Sequence, residues 1–191
     1  MNRKLMWKDT GKVEQVWKGP VFNIDAVHRQ SPDGREHPMV VCRAPDWVTV
    51  IPELPADPSA GKEEPSFLMV RQFRHGSGSL SCEFPAGVVD PGETSLDAAV
   101  RELREETGYT ADQLIEIGNI NPNPAFMDNT STTYLARGLR KTHDLDLDDN
   151  EFLERLEVSS SAIMEKMGTG EYHSAIMVQC WYWYLKYCRT I

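Results

Sequence analysis

Residues 83–109 read EFPAGVVDPGETSLDAAVRELREETGY, and the rest of the chain is organised around them. A tight glycine-containing loop feeds a short helix. Thr94 stands as its N-cap, with Asp97 three residues on as a variant capping box. Gly108 occupies the place where a left-handed C-cap residue ends a helix. Leu96, Ala99, Val100 and Leu103 fall at i, i+3, i+4 and i+7, which predicts one apolar stripe facing a core. At ~100° per residue, Glu102, Glu105 and Glu106 gather on a neighbouring stripe. Like charges at i,i+4 cost a helix about 0.2–0.5 kcal/mol per pair, and Arg101, four residues before Glu105, offsets only part of that. A divalent cation would offset all of it. A solvated acidic face is the plainer reading of a bare Glu–Glu pair.

The spacing favours the cation. Gly87, five residues, Glu93, seven residues, Arg101-Glu102-Leu103, one residue, Glu105-Glu106, one residue, Gly108 and the bulky Tyr109 match the Nudix box at every fixed position. By this resemblance the chain is identified as a member of the Nudix hydrolase family. The resemblance implies an α/β (α+β) Nudix fold, a mixed β-sheet sandwiched between helices. It implies Mg²⁺, with Mn²⁺ as a substitute, held by Glu102 and Glu106, by Glu105 directly or through water, and by the carbonyl of Ala86. The catalytic set it implies is Glu105, Glu106, Glu151 and Arg101, with Arg101 and Glu93 bracing the loop against the helix. The chemistry fits these residue types. Phosphates repel an anionic nucleophile, so pyrophosphate cleavage needs neutralised oxygens and a positioned water, and Mg²⁺ takes hard oxygen ligands. Gly87 lets backbone approach the ion closely.

At 191 residues the chain suits one domain with a sizeable core, or one domain and a small appendage. A net charge of −9 argues against a general nucleic-acid binder or a binder of anionic membranes. No run approaches the ~20 apolar residues of a membrane span, and the N-terminus lacks the apolar segment of a signal peptide. Cys42, Cys82, Cys180 and Cys188 make no metal-ligand spacing and read as reduced thiols, so the cytoplasm is expected.

In chain order, residues 12–53 read as β-structure. Phe22, Ile24 and Ala26 alternate onto one face, a turn falls at Ser31–Gly34, and WVTVIPEL is a further strand. Leu54 to Ser66 is a surface loop and FLMVRQF a buried strand. Beyond the box, strands are expected at Leu114–Asn119 and TTYLARGL and helices at Ser159–Met167 and Ser174–Tyr187, while FLERLEV alternates only weakly. The division expected is an N-terminal β-segment, 1–42, and the hydrolase domain, 43–191. In the ADP-ribose pyrophosphatase-like branch, which this layout resembles, such a segment helps build a homodimer.

The flanks of the box resemble the same branch. Arg74, in FLMVRQFRHG, matches an arginine that meets a substrate phosphate there, a use suited to its planar fork; Arg71 is the weaker choice. Phe126, in NPNPAFMDNTS, and Trp47 are the aromatic candidates for stacking on a base or ribose. Relatives carry a Glu base in the loop at 121–131, which here offers only Asp128. The candidates for base are therefore Glu105, then Glu151, which with Glu154 resembles another acidic motif of the branch, then Asp128. His28, His75 and His173 show no ligand spacing.

The implied activity is Mg-dependent hydrolysis of a nucleoside diphosphate linked to another moiety, ADP-ribose or a nucleotide sugar, giving a nucleoside monophosphate and a sugar phosphate. The alternatives are a nucleoside triphosphate or dinucleoside polyphosphate pyrophosphohydrolase, and a non-catalytic nucleotide-sensing module. The presence of Glu102, Glu105 and Glu106 together disfavours the last.

Overall fold

A computed structural model describes residues 5–147 and 152–190. By contacts the chain divides into two units: residues up to Pro45 with Asn121–Thr130, and Asp46–Ile120 with Ser131 onward.

The first unit is a three-stranded antiparallel sheet, β1 (Lys8–Lys18), β2 (Asn23–Gln30) and β3 (Glu36–Arg43), in the order β1-β2-β3. The predicted turn joins β2 to β3, with the Gly34 amide donating to the Ser31 carbonyl at 2.9 Å. The predicted alternation in β2 is present, but its buried face is the opposite one. Asp25 and Val27 are buried, while Phe22, Ile24 and Ala26 are more exposed. Asp25 tolerates burial because Arg43 Nε donates to it at 3.0 Å, and a charge out of water needs such a partner. The loop at 121–130 belongs to this unit. The Cys42 amide donates to the Phe126 carbonyl at 2.7 Å, and Arg43 Nη1 to Asp128 at 2.6 Å.

The second unit holds β4 (Trp47–Leu54), β5 (Ser66–Arg74), β6 (Ser79–Glu83), β7 (Ala86–Val88), α1 (Ser95–Thr107), β8 (Tyr109–Thr110), β9 (Gln113–Ile120), β10 (Ser131–Arg137), β11 (Arg140–Lys141), β12 (Leu153–Ser159), α2 (Ser160–Lys166) and α3 (Ala175–Thr190). Seven strands form a mixed sheet in the order β12-β5-β4-β10-β9, with β6 paired to β5 and β7 to β4; β8 and β11 pair separately. β10 runs parallel to β4 and antiparallel to β9. The elements not singled out in sequence are β6, β7 and the short pair β8–β11.

Strand alternation builds a core on each face of this sheet. Val48, Val50, Tyr134 and Ala136 pack with Ala98, Ala99 and Leu103 of α1. Ile51, Leu135, Phe67 and Met69 pack with Ile163 of α2 and with Met177, Cys180, Trp181 and Tyr184 of α3. The result is the expected mixed sheet between helices. The aromatic run of α3 is core: Phe67 meets Trp181 and Tyr184 edge-on, with centroids 5.3 and 5.0 Å apart. Among the described residues no helix is long and apolar enough to cross a membrane.

Candidate active site

Helix α1 begins and ends as its sequence dictates. Thr94 Oγ1 accepts from the Asp97 amide at 3.1 Å, and the Asp97 carboxylate reaches back to the Thr94 amide at 3.4 Å. Gly108 is left-handed at φ 76°. Of the predicted stripe, Ala99 and Leu103 are fully buried, but the buried face is shifted away from the other two. Leu96 and Val100 are 45% and 47% exposed, whereas Glu102 and Glu106 are buried at 7% and 2%. Two carboxylates one turn apart face inward beside Ala98, Ala99 and Leu103. Glu106 takes an inner position where its carboxylate accepts from the backbone of β7.

β7 receives both. The Ala86 amide donates to Glu106 Oε2 at 3.0 Å. Gly87 has no side chain because the Glu102 carboxylate fills the space its Cβ would take. Arg101 ties loop to helix: Nε and Nη2 donate to the two oxygens of Glu93 at 3.1 and 3.0 Å, and Nη2 to the Val88 carbonyl at 2.9 Å. Its Nη1 donates to Glu102 at 2.6 Å and to Glu105 at 3.4 Å. The Glu93 hydrogen bond raises the Arg101 pKa further, and Arg101 in turn lowers that of Glu93. Glu105 is partly exposed and also accepts from Arg104 Nη2 at 3.1 Å.

Ala86, Gly87 and Val88 also line a cavity of about 460 Å³, with Trp47, Arg74 and Glu83 among its other walls. Arg74 Nη2 donates to Glu83 Oε2 at 2.6 Å. Burial pushes the Glu83 pKa up, but the hydrogen bond and charge of Arg74 outweigh it and leave the carboxyl below its usual value.

Residues 58–174 match the NUDIX domain. The chain belongs to the Nudix family. A methanol dehydrogenase activator of Bacillus methanolicus is 32% identical over 157 residues, 82% of this chain and 80% of its own. An ADP-ribose pyrophosphatase of Bacillus subtilis (strain 168) is 31% identical over 173 residues, 90% of this chain and 89% of its own. The crystal structure of an ADP compounds hydrolase shares the fold at a TM-score of 0.80, with 21% identity, covering 97% of this chain and 96% of that one. The chain is thus a Nudix pyrophosphohydrolase of the ADP-ribose pyrophosphatase-like branch.

In this Nudix unit, Trp47, Arg74 and Ala86 of the expected site share the cavity, and Arg101, Glu102, Glu105 and Glu106 gather on α1 behind β7. Phe126 belongs to the first unit, where it lines a concavity with Met39, Val40 and Arg43. Asp128 is held by Arg43, and Arg71 by Glu154 at 2.5 Å. Glu151 lies outside the described residues. Among the described residues, no three His, Cys, Asp or Glu side chains converge on a single ion position; Arg101 bridges Glu102 to Glu105, and Glu106 turns to the Ala86 amide. The donor set still fits a hard divalent cation, being carboxylate and backbone oxygen on a glycine-lined approach.

Sequence reasoning missed Glu83 and His173. Glu83 opens the box-containing stretch, and its inward alternation with Arg74 depends on a strand pairing that no local pattern reveals. His173 lines the cavity with its Nδ1 2.9 Å from the Gly170 carbonyl, and a histidine just before a helix carries no signal of that.

Proposed function

We propose that this protein hydrolyses the pyrophosphate bond of ADP-ribose or a nucleotide sugar, releasing a nucleoside monophosphate and a sugar phosphate, in the cytoplasm and with Mg²⁺ or Mn²⁺. The observation that carries the reading is the double use of β7. All three of its residues line the Trp47–Arg74 cavity, and two of them, Ala86 and Gly87, meet the buried carboxylates of Glu106 and Glu102. A substrate in that cavity would thereby hold its phosphates beside the acidic face of α1.

Glu102, Glu106 and the Ala86 carbonyl would hold the cation, with Glu105 as a further ligand. When bound, the cation neutralises phosphate oxygens and promotes ionisation of water. Arg101 ties Glu93 of the loop and the Val88 carbonyl of β7 to α1, so Arg101 acts as a positioning residue. Arg74 would take a phosphate with its guanidinium fork, and Trp47 would stack on the base. Glu105, the most exposed of the three α1 glutamates, would accept a proton from the attacking water.

The first unit, comprising the expected segment 1–42, is proposed as the homodimer contact. Val16, Val21 and Val40 are 66%, 62% and 62% exposed there, apolar side chains that a contact with a second copy would bury.

The test is turnover, read as nucleoside monophosphate formed and separated from substrate by ion-exchange chromatography. The panel is ADP-ribose, ADP-glucose, GDP-mannose, diadenosine polyphosphates and nucleoside triphosphates. Preference for ADP-ribose or a nucleotide sugar is the expected result. Turnover confined to triphosphates would overturn the reading of the cavity.

A further inference from the structure

Among the described residues lining the cavity, the side chains that carry or can take a charge are Arg74, Glu83 and His173. Arg74 and Glu83 are paired at 2.6 Å, so their formal charges cancel. A neutral ion pair offers an anion hydrogen bonds but little net attraction. The lining gains one net positive charge when the imidazole of His173 is protonated, and none when it is neutral. His173 is exposed and stands two residues before α3. Its Nδ1 lies 2.9 Å from the Gly170 carbonyl. A carbonyl only accepts, so Nδ1 carries the hydrogen, and Nε2 is the remaining polar atom of the ring. Protonation turns Nε2 from acceptor to donor without disturbing the bond that orients the ring.

The charges around it are accounted for. Burial raises the Glu83 pKa, while Arg74, a hydrogen bond from Ser81 and the charge of His173 lower it more. Glu83 therefore stays a carboxylate across the neutral range. Glu171, in the same turn, is engaged by Arg71 at 3.8 Å, and Lys166 lies over the Tyr172 ring at 5.6 Å. His75, between β5 and β6, packs on Phe73 with centroids 5.4 Å apart.

We propose that His173 is a proton-gated phosphate contact: as imidazolium it joins Arg74 in binding the diphosphate of the substrate, and it gives up that contact when neutral. The inference rests on the reading of this cavity as the substrate pocket. Each phosphate of a diphosphate diester carries one negative charge, so two cationic donors meet two anionic groups. An imidazole changes its charge between about pH 5 and 8, whereas the guanidinium keeps its own. The contribution of His173 is therefore present at low pH and lost as pH rises, with Arg74 left to hold phosphate alone.

The test is titration calorimetry with Mg²⁺ present throughout, at about pH 5.5 and about pH 8.5, either side of an imidazole's change of charge. The ligand is the α,β-methylene analogue of ADP-ribose, which resists cleavage and keeps its charge over that interval. The proteins are the wild type, His173→Gln and Trp47→Ala. At the lower pH His173→Gln should bind about tenfold more weakly than wild type, the low end for a hydrogen bond to a charged group. At the higher pH the two should agree within about twofold. A deficit of equal size at both values would mark a neutral contact and overturn the proposal. If His173→Gln matches wild type at both while Trp47→Ala binds more weakly, the role of His173 falls and the cavity stands. If neither substitution alters binding, the reading of the cavity falls as well.

Discussion

Arg74 holds its guanidinium against Glu83, with Nη2 2.6 Å from Oε2 and Nε 3.3 and 3.2 Å from the two carboxylate oxygens. The glutamate side chain is 11% exposed and the arginine side chain 42%. A buried acid thus steadies a cation that lines the cavity. The Glu83 pKa is raised by burial and lowered more by Arg74, for a net fall. A carboxyl whose folded pKa lies below its unfolded value binds fewer protons when folded. Its stabilisation is present above the unfolded pKa, about 4.3, and is lost as pH falls through the folded value. Denaturant midpoints measured below pH 5 should therefore decline more steeply for wild type than for Glu83→Gln. Parallel declines would show that the pair contributes nothing to folding.

Gly87→Ala separates folding from activity. The methyl group would overlap the Glu102 carboxylate, the far end of a side chain that Arg101 holds at 2.6 Å, so the chain should still fold, with a melting temperature a few degrees lower. The displaced carboxylate should lower turnover about 10–100-fold, the scale seen when groups supporting a metal site are disturbed. Melting and steady-state kinetics on the same preparation check both halves.

Arg101→Lys tests the brace. Lysine keeps the charge but cannot reproduce the paired hydrogen bonds to Glu93 together with those to Val88 and Glu102. A loss of about 1–2 kcal/mol in chemical denaturation is expected, net of the partial exposure of the group. The kinetic loss should fall on kcat more than on KM.

The legible parts of the molecule were the local ones. Thr94, Asp97 and Gly108 define α1 because caps are short-range chemistry. The strand containing Phe67 and Met69 and the helix containing Trp181 and Tyr184 declare themselves by apolar density. The orientation of α1 is half legible, since Ala99 and Leu103 of the apolar stripe are buried. Periodicity sends apolar residues inward, whereas Glu102 and Glu106 take the inner face and leave Leu96 and Val100 outside. β6 and β7 are too short for a period and are interrupted by Phe84-Pro85. Pairing in space, such as Arg74 with Glu83 or Ser131 with Trp47, follows from sheet register and not from spacing along the chain. Phe126 lines a concavity of the first unit with Met39 and Val40, and an aromatic in a proline-rich loop carries no local signal of that.

The most direct measurement is ADP-ribose turnover at saturating Mg²⁺ by wild type and Glu106→Gln. The amide keeps the size of a side chain that is 2% exposed, and its oxygen can still accept from the Ala86 amide as the carboxylate does at 3.0 Å. The fold should survive, with kcat reduced by about 100-fold or more, as for loss of a group acting in the transition state. A folded Glu106→Gln protein with turnover within severalfold of wild type would contradict the assignment of the catalytic cation to α1.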